Sequence, residues 1–330
     1  MAAHQAVHRP GLRSALPGRL KAAPMLESRL DRRGALWPPR EPLRPISPNA
    51  VNFDDYCLQK AAPPGSSTYY ALRQARAARQ PLLTALFALR RELEETAKET
   101  SDPTVGRTKL AWWQKELAAL AAGQPAHPVT QALAAHLGDA SAVYPDLQAL
   151  LAGFEMDFEQ ARYLDLPNLR RYMQGVGGTF VSLVAQLSAR TDADRQDAAR
   201  WAPPLGNALM LAQFVPEIGN DARHGRIYVP IDELQRYDVT AADLINRRYS
   251  AAFTELMQFQ TSRARESVQA ALDAIPAPAR RDQRTLRALA ALELALLDEV
   301  EREGYQVLHQ QIVLTPVRKL WIAWRAARRS

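Results

Sequence analysis

Along residues 51–330, apolar side chains return every three or four positions and almost nowhere every second position, which is the period of helices and not of strands. The stretch "RQPLLTALFALRRELEETAKET" (79–100) places Leu82, Leu83, Leu86, Leu89 and Leu93 on one helical face, with its charges gathered toward the C-terminal half. In "DPTVGRTKLAWWQKELAALAAG" (102–123), Asp102 is an N-cap, Pro103 takes the first helical position and Gly123 stops the helix. The runs 179–190, 201–215, 249–275 and 284–308 predict further helices. "RIYVP" (226–230) is the best extended piece and is too short to found a sheet. The pattern therefore predicts an all-α class, with helices of roughly 15 to 25 residues around a central space. No internal repeat and no linker interrupts 51–330, so this segment is expected to form one helical domain.

Residues 1–50 differ in kind. They carry nine Arg/Lys against three acids and hold eight of the 23 prolines, without apolar periodicity. That composition predicts a disordered basic extension; an organelle-targeting segment, a basic arm or translation from an upstream start are the alternatives. The rest of the chain balances 33 bases with 32 acids, so the net charge of +7 sits mostly in the extension. The helical body thus offers no general case for nucleic-acid binding. Cys57 is the only cysteine, which excludes an intrachain disulfide and makes a reducing compartment the default. No stretch approaches a membrane span and no secretory signal is evident. The expected location is cytoplasmic, or peripheral at the inner membrane.

The segment "TPVRKLWIAWRAARRS" (315–330) combines Leu320, Trp321 and Trp324 with Arg318, Lys319, Arg325, Arg328 and Arg329. On a helix this composition suits docking on anionic lipid. It equally suits a last helix that packs its tryptophans inward and sets its cations against the helix C-terminus.

Chemistry concentrates in "FVPEIGNDARHGRIYVP" (214–230). Glu217 and Asp221 stand four apart and share one helical face, where two carboxylates repel unless a cation or water separates them. Pro216 lies one residue upstream and is a poor residue inside a helix that must aim a metal site; it predicts a kink unless it begins a fresh turn.

The order and spacing of "KAAPPGSSTYYAL" (60–72), "ALFALRRELEE" (85–95), "DPTVGRTKLAWWQKEL" (102–117), "GQPAHPVTQAL" (123–133), "FEMDFEQARY" (154–163), "YMQGVGGTF" (172–180) and "LGNALMLAQFVPEIGNDARHGRIYVPIDEL" (205–234) resemble the squalene/phytoene synthase family. The match runs from about Tyr56 to the C-terminal "RKLWIAW" and is most similar to the bacterial branch near the presqualene-diphosphate synthases. The resemblance implies an isoprenoid-synthase-type single-domain helical bundle around a central cavity. It implies head-to-head joining of two prenyl diphosphates, farnesyl or geranylgeranyl, with Mg²⁺ held by aspartate-rich helices. Mg²⁺ is a hard ion that prefers oxygen ligands, and apolar helix faces shield the allylic cation.

Carried over residue by residue, the resemblance is incomplete. The first aspartate-rich motif falls on Phe87, Arg91, Glu94, Glu95 and Lys98, with lysine where the last aspartate belongs. The second falls on Gln213, Pro216, Glu217 and Asp221, with proline where a phosphate-gripping arginine belongs. Glu94, Glu217 and Asp221 are thus the catalytic and metal-ligating candidates, in degenerate form. Ser66, Ser67, Arg91, Arg223, Arg226 and Tyr228 are the substrate-binding candidates. The resemblance implies Mg²⁺ if the chain is active and no cofactor otherwise.

An impaired member that keeps the cavity, with a binding or assembly role like the family's complex I assembly relative, is the leading expectation. An active prenyltransferase is the alternative, and an isoprenoid lipid, a membrane surface or a protein are the expected partners. His127 reads as a loop residue, His224 has no second ligand at zinc spacing, and Trp112 and Trp113 read as core.

Overall fold

The computed structural model describes residues 52–98 and 102–328, and the expectation of disorder over 1–50 lies outside them. Short α1 (Phe53–Ala61) and α2 (Ser67–Leu72) precede α3 (Gln80–Lys98) and α4 (Pro103–Ala121). Then come α5 (Pro128–Leu137), α6 (Tyr144–Glu155), α7 (Leu166–Met173), α8 (Thr179–Ser188) and α9 (Asp192–Arg223). The chain continues through α10 (Ile231–Arg236), α11 (Ala241–Ile245), α12 (Ala251–Asp273), α13 (Arg284–Arg302) and α14 (Pro316–Arg328). Among the described residues there is no strand, only an isolated bridge between Arg162 and Ile227, so "RIYVP" stays a connector.

Local signals account for most helix ends. Asp102 caps α4 by accepting from Thr104 N, and Pro103 follows it at the first position, where its missing donor costs nothing. Beyond α13, Gly304 and Tyr305 both take positive φ, so the helix predicted over 284–308 ends at Arg302.

The largest departure is α9. The sequence pattern predicts a helix over 201–215, yet α9 runs for 32 residues straight through Pro203, Pro204 and Pro216. Each proline withholds one backbone donor and costs about 3 kcal/mol in an isolated helix. Burial of Trp201, Leu205, Leu209, Ala212, Val215 and Ile218 against α8, α12 and α13 outweighs that cost. Pro216 therefore neither begins a fresh turn nor ends the helix.

Between α7 and α8 the chain widens into one π-helical segment, Gln174–Gly178. Its glycines let three backbones touch. A Cβ on Gly206 of α9 would stand 2.1 Å from the Gly177 carbonyl oxygen, and one on Gly153 of α6 would stand 2.5 Å from the Gly175 carbonyl carbon. This contact seats the middle of α9 against the wall of a cavity of about 950 Å³, to which α2, α3, the π segment, α9 and α13 contribute. Gly206→Ala is expected to lower stability by at least about 2 kcal/mol, because neither backbone can yield. Urea unfolding of the two proteins measures it, and an unchanged midpoint would contradict the contact.

Candidate functional site in the central cavity

Two helical stripes face the cavity. On α3, Arg90, Glu94 and Lys98 recur every fourth residue; on α9, Gln213, Glu217 and Asp221 do the same. Their floor is apolar and includes Phe87, Phe180, Val181, Leu209, Met210 and Leu289.

Lys98 decides the electrostatics. Its Nζ lies 3.2 Å from Glu94 Oε1 and 3.8 Å from Asp221 Oδ1, and 5.8 Å from the centre of the Tyr228 ring. Burial works against its charge, but Glu94 and then Asp221 outweigh burial and raise its pKa. Burial likewise opposes the charge of Glu94, yet Lys98, Arg90 and Arg91 together lower its pKa. Asp221 has the opposite balance. Burial, helped by Glu217 and Glu94, pushes it up to about 6 although Lys98 pulls it down. Glu217 accepts from Asn220 Nδ2 at 3.1 Å and from Gln311 Nε2 at 3.4 Å.

The Mg²⁺ that aspartate-rich motifs hold does not fit these residues. The ammonium of Lys98 lies within reach of both Glu94 and Asp221, where a shared cation would have to sit. Among the described residues no three His, Cys, Asp or Glu side chains gather closely enough to hold a metal ion. Pro216 is buried and presents no polar group where a phosphate would need one.

The substrate-binding candidates divide by position. Ser66 and Ser67 line the cavity, and Ser66 also caps α2 by accepting from Tyr69 N at 3.1 Å. Arg91 lines the rim and donates to Glu95 Oε1 at 2.8 Å. Arg226 also lines the cavity, but it donates to the Ala97 and Lys98 carbonyls at 2.5 and 3.2 Å and stands 3.6 Å from Asp157. It therefore fixes the end of α3. Tyr228 donates to Asp157 Oδ1 at 3.0 Å and stacks on Phe214 at 4.3 Å, so it braces the wall behind Lys98. Arg223 is exposed, bonded to Asn220 and outside the cavity lining.

Of the residues read as structural, His127 caps α5 through Val129 N and packs edge-on against Trp113, 4.8 Å away. Trp113 is buried as expected, whereas Trp112 is 47% exposed and is not core.

Several residues in the cavity or behind its wall escaped the sequence reading. Lys60 on α1 reaches Glu95 at 2.5 Å and Glu92 at 3.2 Å. Asp157 is buried beneath Tyr172 and Tyr228, accepting from both hydroxyls. Arg90 stacks on Phe180, with its guanidinium 4.8 Å from the ring centre, and donates to Gln213 at 3.3 Å. Glu293 of α13 lines the same cavity, and burial pushes it up to about 7 against the pull of Gln213 and Arg90. The available signal for Glu293 was a lone acid inside "ALAALELALL", on a helix otherwise apolar there.

An all-helical bundle whose two long helices turn facing charged stripes into one apolar-floored cavity has the architecture of an isoprenoid synthase. The squalene/phytoene synthase family profile matches residues 61–318, and the chain belongs to that family. It is similar to the phytoene synthase of Arthrospira platensis, with 29% identity over 82% of this chain and 92% of the relative. It is also similar to the 15-cis-phytoene synthase of Synechocystis sp., with 26% identity over 83% and 85% of the two chains. In fold it is similar to a dehydrosqualene synthase solved with a ligand, at TM-score 0.69 and 20% identity over 83% and 95% of the two chains. The squalene synthase HpnC from Alicyclobacillus acidocaldarius follows at TM-score 0.63 and 21% identity, over 77% and 94% of the chains.

The Glu293 carboxyl titrates near 7 when folded and near 4.5 when exposed. The folded chain then holds an extra proton between those values, and the stability this confers is full below about pH 4.5 and lost as pH rises through 7. Glu293→Gln should therefore be about 2 kcal/mol or more stabler than the parent at pH 8, with little difference at pH 4.5. Chemical denaturation at both pH values checks it.

Proposed function

We propose that this squalene/phytoene synthase family protein holds an isoprenoid chain in its cavity as a binding or assembly protein, without metal-assisted loss of diphosphate. The observation that carries the proposal is the position of Lys98, within ion-pair distance of carboxylates on both α3 and α9. A fixed internal ammonium there satisfies the carboxylates that would otherwise recruit a divalent cation.

The charges around it leave little for a diphosphate to meet. Lys60, Arg90, Arg91, Lys98 and Arg226 share the cavity lining with Glu94, Glu95, Glu217, Asp221 and Glu293, so its formal charges carry no positive excess. Without arginine at 216, no bidentate fork reaches in from α9. The floor of Phe87, Phe180, Val181, Leu209, Met210 and Leu289 remains suited to a hydrocarbon chain, which needs dispersion contacts and exclusion of water and no charge at all.

A second reading, an active prenyltransferase that condenses two prenyl diphosphates, draws support from relatives that are phytoene synthases and from Ser66, Ser67, Lys60 and Arg91 along the rim. The two readings part on turnover. Incubated with farnesyl or geranylgeranyl diphosphate and Mg²⁺, the full chain should release pyrophosphate at least roughly 10⁴-fold more slowly than a phytoene synthase, since two electrostatic groups are lost. Restoring them together, in Lys98→Asp with Pro216→Arg, should recover measurable release. Turnover by the unaltered chain that EDTA abolishes would establish the second reading.

A further inference from the structure

The C-terminal helix is turned inside out. Its small residues Ala323 and Ala327 face the core, and Ile322 packs toward Ala71, Ala288, Leu292 and Leu314. Its large apolar residues face outward: Val317 is 78% exposed, Leu320 50%, Trp321 53% and Trp324 45%. Val313, just before the helix, is 61% exposed. Positions 317, 320, 321 and 324 of α14 follow the helical period, so these four side chains form one stripe and not a scatter. The tryptophans therefore do not pack into the domain. Both settings of this helix were open from the sequence, and packing decides for the outward one.

The stripe has a basic edge. The guanidinium of Arg325 lies 4.9 Å from the centre of the Trp321 ring, and that of Arg328 lies 4.3 Å from the centre of the Trp324 ring. No carboxylate among the described residues pairs with either arginine, and residues 312–330 contain no acid. Arg318 and Lys319 are held inward, by Glu299 and by the Gly65 carbonyl respectively. The outward face thus offers two indoles, two aliphatic side chains and two unpaired guanidinium groups.

We infer that α14 is a docking helix for an anionic lipid bilayer. Indoles favour the boundary between headgroups and acyl chains, where the ring meets hydrocarbon and the N–H meets water. Arginines stacked beside them stand at headgroup level and meet lipid phosphates. Charge complementarity selects an anionic surface, and the aliphatic stripe supplies the apolar contact that a purely electrostatic protein partner would not need. The Lys319 bond to Gly65 ties α14 to the loop that leads into Ser66 and Ser67, so docking sets that wall of the cavity beside the membrane. This inference stands apart from what the cavity holds. No helix among the described residues is long and apolar enough to cross a membrane, so α14 lies on the surface.

Flotation of the full chain with phosphatidylglycerol/phosphatidylcholine vesicles, beside phosphatidylcholine alone, tests it. The parent chain should float with the anionic vesicles and far less with the neutral ones. Trp321→Ser with Trp324→Ser should weaken partitioning about tenfold or more, and Arg325→Gln with Arg328→Gln on the order of tenfold, with folding verified by circular dichroism. Failure of the parent to float with anionic vesicles would overturn the inference. So would flotation that survives intact in the double tryptophan variant, which would assign it to the basic residues 1–50.

Discussion

The ion pairs of Lys98 set the charge balance where α3 faces α9. Glu94, Glu217 and Asp221 come together because α3 and α9 each present a residue every fourth position, and three carboxylates so placed repel one another. Lys98 relieves that repulsion from within, 3.2 Å from one and 3.8 Å from another, at the cost of desolvating its own ammonium. Arg226 holds the carbonyls of Ala97 and Lys98, and Asp157 holds Arg226, Tyr172 and Tyr228. The end of α3 is thereby fixed, and with it the lysine. A chain of polar contacts running from Asp157 through Arg226 thus positions Lys98.

Much of this was legible in the sequence, for physical reasons that differ from element to element. Strong apolar periodicity marked α3, α4, α12 and α13, because each must bury one stripe. The shared face of Glu217 and Asp221 followed from four-residue spacing alone. Helices α5, α6 and α7 were not marked, being only 8 to 12 residues long, too short for a period to stand out, with packing that depends on neighbours distant in sequence. The continuation of α9 through Pro216 was illegible for the same reason: a proline's cost is local, while the burial that offsets it comes from α8, α12 and α13. Glu293 and Asp157 were missed because one acid in a helix is normally a solvated one, and only the fold shows which acids point inward. The carbonyl contacts of Arg226 were likewise invisible in a run that reads as basic and exposed.

The exposed stripe on α14 and the apolar cavity floor make related demands on the molecule. One presents hydrocarbon contacts outward and the other inward, and the Gly65 loop lies between them. Residues 1–50 carry nine Arg/Lys against three acids.

The most direct test of the central claim asks whether the site recruits a divalent cation at all. Titration of the chain with Mn²⁺, followed by the electron paramagnetic resonance signal of the free ion, measures it without any substrate. The account predicts that the unaltered chain leaves the free-ion signal undiminished, while Lys98→Asp removes at least one equivalent of Mn²⁺ from solution. Stoichiometric binding by the unaltered chain, lost in Asp221→Asn, would show that Lys98 yields to a metal and would contradict it.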